Sequence, residues 1–212
     1  GYEALTANTI GTNNVALGRN ALDANTTGDQ NTACGNSALG GNTTGQYNTG
    51  VGTQALINNT TANNNTAYGA FALKLNTTGT ENTAVGANAL DANTTASGGA
   101  AFGLGALGAN TTGAENTALG TSSMQQNTTG SSNVAVGNQA LKANTATGNT
   151  AVGHRALISN TTGAANLAIG KDSLYSVTTG SYNIAVGYDA LQQTTTANNN
   201  TAMGHDAMKA FA

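Results

Sequence analysis

The residues able to do chemistry are few and widely separated. Two histidines, one cysteine, nine Asp or Glu and six Lys or Arg are spread over 212 residues. His154 and His205 each directly follow a glycine, and they stand three repeats apart, too far to share a ligand. Elsewhere the same place holds Arg19, Lys171 or Tyr188, which marks a variable exterior position. Asp206 neighbours His205, yet no Ser-His-Asp set assembles around them, and the scattered carboxylates offer no pair for general acid–base work. A single thiol can form neither an intrachain disulfide nor a cysteine metal cluster, and Cys34 is expected to be buried and inert. The run Gly103-Leu104-Gly105-Ala106-Leu107-Gly108 matches a dinucleotide fingerprint in spelling alone, because no βαβ unit follows it. Asn-Thr-Thr triplets at Asn25, Asn42, Asn76, Asn110 and Asn160 match the glycosylation sequon, but turn chemistry accounts for them without modification. These residues predict a protein that is not an enzyme and needs no cofactor and no metal.

What must position so little chemistry is a repeat. Glycines recur every 17 residues from Gly1 through Gly18, Gly35, Gly52 and onward to Gly137; Gly153 comes one residue early, and Gly170, Gly187 and Gly204 resume the spacing. The unit reads G-x-x-A-L-x-x-N-T-T-G-x-x-N-T-A-V. Before each anchor glycine runs a strand-like segment: Asn, then Thr or a β-branched residue, then Ala, then an apolar residue such as Leu17, Val85 or Ile169. Ala-Leu follows each glycine, and its Leu is expected to fill the core. Asn-Thr-Thr-Gly is expected to turn the chain. The missing residue of the short repeat falls between Asn144 and Gly148, inside that turn, where deletions are tolerated.

Composition agrees. Charged residues are 7% of the chain, against roughly 25% in a typical soluble domain. Proline is absent, so every backbone N–H can enter a ladder. Net charge is −3, which leaves no footprint for nucleic acid, and no apolar run is long enough to span a membrane. A helical repeat would place two glycines and several Thr and Asn in each unit, against propensity. The reading is all-β: a β-solenoid (parallel β-roll) of about twelve 17-residue coils stacked roughly 4.8 Å apart, on the order of 58 Å in length. Stacked Asn amides are expected to bond from coil to coil. Residues 1–212 form one tandem-repeat segment, and a first residue already in register suggests an excerpt of a longer fibre.

If the apolar fourth residue of each strand segment points inward, the alanine before it points out. Ala16, Ala33, Ala67, Ala84, Ala101, Ala118, Ala135, Ala151, Ala168, Ala185 and Ala202 would then form a smooth exterior stripe, the predicted interface of a parallel homotrimer. On this reading Ala135→Glu weakens assembly, and Asp189→Lys, at an exterior position, does little.

Segments such as Asn82-Thr83-Ala84-Val85-Gly86 and Asn133-Val134-Ala135-Val136-Gly137 resemble the head repeats of trimeric autotransporter adhesins, and the full unit is similar to repeats of bacteriophage tail fibres. The resemblance covers the whole chain, although the Asn-Thr-Thr-Gly turn makes this repeat longer than that of the adhesin heads. It implies a trimeric parallel β-roll on a virion or cell surface, used in attachment. The expected function is therefore a non-enzymatic segment of an extracellular fibre that spaces or mediates cell binding. Its expected partners are itself and a cell-surface receptor or glycan, without nucleic acid or membrane insertion. Two alternatives are a subunit of an open-ended extracellular filament and a monomeric ice-binding solenoid built on Thr ladders.

Overall fold

Short β-prone segments that recur at a fixed interval can each pair with the one before and the one after, and the chain does this within each of two compact units. The computed structural model describes residues 1–210, with no helix among them. It forms an all-β parallel solenoid in two compact units, Gly1–Gly105 and Ala106–Ala212. In the first unit the strands are β1 (Val15–Leu17), β2 (Thr32–Cys34), β3 (Thr49–Val51), β4 (Thr66–Tyr68), β5 (Thr83–Val85) and β6 (Ala100–Phe102). In the second they are β7 (Thr117–Leu119), β8 (Val134–Val136), β9 (Thr150–Val152), β10 (Leu167–Ile169), β11 (Ile184–Val186) and β12 (Thr201–Met203). Within each unit neighbours in sequence pair in parallel and in register, as Ala16 with Ala33 and Ala168 with Ala185. The short coil keeps this register: Val134 pairs with Thr150, so the turn absorbs the deletion.

Backbone bonds join coils outside the strands as well. Leu22 N donates to Ala38 O (3.1 Å) and Thr26 N to Thr43 O (2.9 Å). Side chains add two internal amide ladders. In the turn ladder Asn25 Nδ2 donates to Asn8 Oδ1 (2.9 Å), Asn42 to Asn25 (2.9 Å), and so on to Asn93 with Asn76 (2.8 Å). In the strand ladder the Asn Oδ1 accepts the backbone N–H of the residue one coil on, as Asn14 from Asn31 and Asn31 from Asn48 (both 2.9 Å), and Asn82 from Gly99 (2.9 Å). Its Nδ2 reaches a turn carbonyl, Asn31 to Gly45 O at 2.8 Å. Buried amides satisfied on both sides rigidify a coil too thin to hold a large apolar core.

The backbone bends where the sequence does not announce it. The Asn-Thr-Thr-Gly turn contains no left-handed residue. Left-handed conformations fall instead on the core leucines (Leu22 φ 52°, Leu90 φ 51°), two residues earlier (Asn20 φ 56°) and just before the strand asparagine (Gln30 φ 57°). Leucine resists this region, at about 1–2 kcal/mol per residue. Full burial of Leu22, Leu39, Leu56, Leu73 and Leu90 in the first unit, and of Leu107, Leu141 and Leu191 in the second, offsets it. The anchor glycine is obligatory: Gly86 has φ +127°, and a Cβ there would lie 2.6 Å from Gly103 O.

The predicted faces of the strand are reversed. Ala33, Ala67, Ala84, Ala101, Ala118, Ala135, Ala151, Ala168 and Ala185 are wholly buried inside their own coils, Ala202 is buried and Ala16 half-buried, so the alanine file is core and not an exterior stripe. The reason is space. At Gly50, which takes the alanine slot of β3, an added Cβ would sit 3.3 Å from Leu39 Cγ and 3.2 Å from Ala55 O. Leucine from the neighbouring segment fills the interior and leaves room for a methyl at most. Ala135→Glu would therefore disrupt the coil itself. Asp189, taken as exterior, is also buried.

Candidate functional site

With alanine inside, the residues before and after it face out. The last residue of each strand makes an outer file: Leu17, Cys34, Val51, Tyr68, Val85 and Phe102 in the first unit, and Leu119, Val136, Val152, Ile169, Val186 and Met203 in the second. Each is half-buried or exposed; Leu17 is 65% exposed, Tyr68 59% and Met203 75%. Cys34 belongs to this file, half-exposed with a free thiol, and so is not the buried residue expected. The first residue of each strand makes a leading file beside it. In the first unit that file is mostly threonine (Thr32, Thr49, Thr66, Thr83), whereas the second adds Val134, Leu167 and Ile184. Neither file contains a charged residue. An outward sheet face lined by such a row, one apolar residue per coil, is a continuous apolar feature of each unit.

The polar candidates sort differently. The Asn-Thr-Thr asparagines Asn25, Asn42, Asn76, Asn110 and Asn160 are buried, so the folded coil presents none of these amides for modification. The first threonine of each pair donates its hydroxyl to the next coil, Thr26 Oγ1 to Thr43 O at 3.0 Å and Thr77 Oγ1 to Thr94 O at 3.0 Å, while the second, as at Thr27 and Thr78, is exposed. His205 Nδ1 lies 3.1 Å from Asp206 Oδ2 and its ring stacks on Tyr188. Among the described residues no group of three or more His, Cys, Asp or Glu is placed to hold a metal ion, and no helix is long and apolar enough to cross a membrane.

Sequence reasoning missed two buried carboxylates. Asp172 accepts both Arg155 Nε and Nη2 at 2.8 Å, and Asp189 Oδ2 lies 2.7 Å from Lys209 Nζ. These two side chains are 5% and 7% exposed. The one usable signal was a basic residue at the same place one coil away for Asp172, and 20 residues on for Asp189. No family model, no curated protein and no solved structure matches the chain.

Proposed function

We propose that this chain is a non-enzymatic segment of an extracellular fibre that spaces or mediates attachment to a cell, and that its copies associate in parallel through the outer file. The observation that carries this reading is the uncharged row from Leu17 to Phe102, repeated from Leu119 to Met203, every residue of which is half-buried or exposed. A second copy aligned in parallel presents the same row at the same pitch, so every apolar residue meets an apolar partner. Such a self-complementary surface suits a closed symmetric oligomer. The resemblance to adhesin heads supplies the number three. The alanine stripe is no longer the interface; the residues flanking it take that role.

Light scattering in dilute buffer tests the reading. The expected native mass is near three times the 20.8 kDa chain. Val85→Glu combined with Val186→Glu should leave the circular dichroism spectrum unchanged and reduce the mass to that of one chain. A single-chain mass for the unsubstituted protein would sink the proposal, and a double variant that stays trimeric would move the interface elsewhere.

A further inference from the structure

The leading file changes character between the units. In β2 to β5 it is threonine throughout, whereas β8, β10 and β11 carry Val134, Leu167 and Ile184, with Thr150 between them in β9. Strand propensity does not ask for the change. Threonine is β-branched and forms the same strand at the same place of other coils, and leucine suits a strand less well. Burial within the coil does not ask for it either: Val134 is 37% exposed, Ile184 40%, and Leu167 half-buried. Each exchange therefore puts an aliphatic group at the surface where a hydroxyl serves the lone coil as well.

Register joins these residues into one patch. Val134, Thr150, Leu167 and Ile184 are successive partners across β8 to β11, and Val136, Val152, Ile169 and Val186 run beside them. Seven of these eight outward side chains are aliphatic, and the eighth is a single threonine. In β2 to β5 a full row of hydroxyls runs beside the apolar file instead. The two faces are alike in shape and differ in how much water they must shed when covered. A contiguous apolar patch that its own fold does not explain marks a surface made to be covered.

We propose that the patch on β8–β11 is the contact that holds copies of the chain together, and that its occupant is the same four strands of a second copy. The inference rests on the parallel association proposed above and assigns where along the face the binding lies. In a parallel symmetric assembly each coil stands level with the same coil of its neighbour. Aliphatic side chains then meet aliphatic side chains on all four strands, and no charge loses its water. A few central apolar contacts of this kind carry most of an interface, while the threonine-lined face of β2–β5 adds little. A lipid surface fits less well: the side chains are short and partly covered, and neither file offers a Lys or Arg to a headgroup.

Native mass of the full chain over a dilution series tests the proposal. Combining Val134→Thr, Leu167→Thr and Ile184→Thr gives β8–β11 the leading file that β2–β5 already carry, so the circular dichroism spectrum should not change. The concentration at which half the assembly has dissociated is expected to rise by about a hundredfold or more. Val15→Thr, Val51→Thr and Val85→Thr together remove as many apolar side chains from the first unit, and are expected to shift it by less than about tenfold. Equal shifts in the two variants, or none in the first, would overturn the proposal and leave parallel association standing. A parent that is a single chain at every concentration would overturn both. If vesicles of phosphatidylcholine and phosphatidylglycerol pellet the parent but not the first variant, and the two have equal mass, the patch belongs to a lipid surface and the proposal falls.

Discussion

The two units share one coil and differ in what fills its middle. In the first, the turn ladder of buried amides runs from Asn8 to Asn93 without a gap. In the second it joins Asn110 to Asn127, restarts between Asn144 and Asn160, and then meets Val177 and Thr194. Each interruption leaves a mark: Asn127 Oδ1, facing the short coil, and Asn160 Oδ1, facing Val177, are buried without a partner, as is the Thr194 hydroxyl. The backbone continues regardless, with Leu157 N donating to Ser173 O (2.9 Å) and Leu174 N to Ala190 O (3.0 Å). Amide stacking is therefore a second layer laid on a backbone that already closes. A break costs about 1–3 kcal/mol for each acceptor left bare, not the fold.

Four experiments bear on that difference, and the first carries the largest effect. Asn59→Ala, in mid-ladder, removes donations to Asn42 Oδ1 (2.9 Å) and Ala62 O (3.0 Å) and leaves Asn76 Nδ2 with Gly79 O alone; a loss of about 3–5 kcal/mol is expected in denaturant melts. Asn160→Ala, at a ladder end whose acceptor is already bare, should cost roughly half as much, and equal losses would show that the ladder adds nothing cooperative. Gly86→Ala and Gly170→Ala, one in each unit, should cost about 3 kcal/mol or more apiece and to the same extent, since both glycines hold φ near +126° against the next coil. Unequal losses would place the difference between units in the backbone. Val177→Asn should raise stability by ~1 kcal/mol, because the new amide can donate to Asn160 Oδ1 and accept from the Thr194 hydroxyl. A lower melting temperature would mean that valine burial outweighs both bonds.

The smallest effect is electrostatic and opposite in sign between the units. Burial pushes the Asp91 carboxyl up, against weaker opposing bonds from its own and the Ala92 backbone, whereas the hydrogen bond from Lys209 holds Asp206 below the usual range. Asp91 ionises at a cost, so its contribution to stability is greatest in acid and falls as pH rises through its raised value. That of Asp206 is present at neutral pH and is lost as pH falls through its lowered value. Asp91→Asn should therefore melt slightly higher than the parent at pH 7, Asp206→Asn slightly lower, with both differences vanishing in acid.

Much of this fold is legible in the residues, and its failures have physical causes. Period, strand segments, leucine core, amide stacking and the site of the deletion all follow from spacing. The facing of the strand does not. Alternation says that Ala84 and Val85 point opposite ways, and the larger residue is ordinarily the buried one. Here Leu73 and Leu90, from another part of the repeat, already occupy the interior, so the smaller residue goes in. Left-handed leucine is equally hard to read, because local propensity argues against it and only packing with the neighbouring coils supports it. The burial of Asp172 depends on Arg155 in the preceding coil, a pairing visible only once the coils are stacked.

In-register pairing at one fixed offset carries a consequence for heredity. Excising residues 69–85 would place Tyr68 before Gly86, and each broken bond would find an equivalent partner: Thr66 would pair with Ala100 where it had paired with Thr83. Unequal recombination between stretches that encode successive repeats would therefore add or remove whole graduations without refolding what remains. Reach becomes a quantity that a lineage can adjust in single steps.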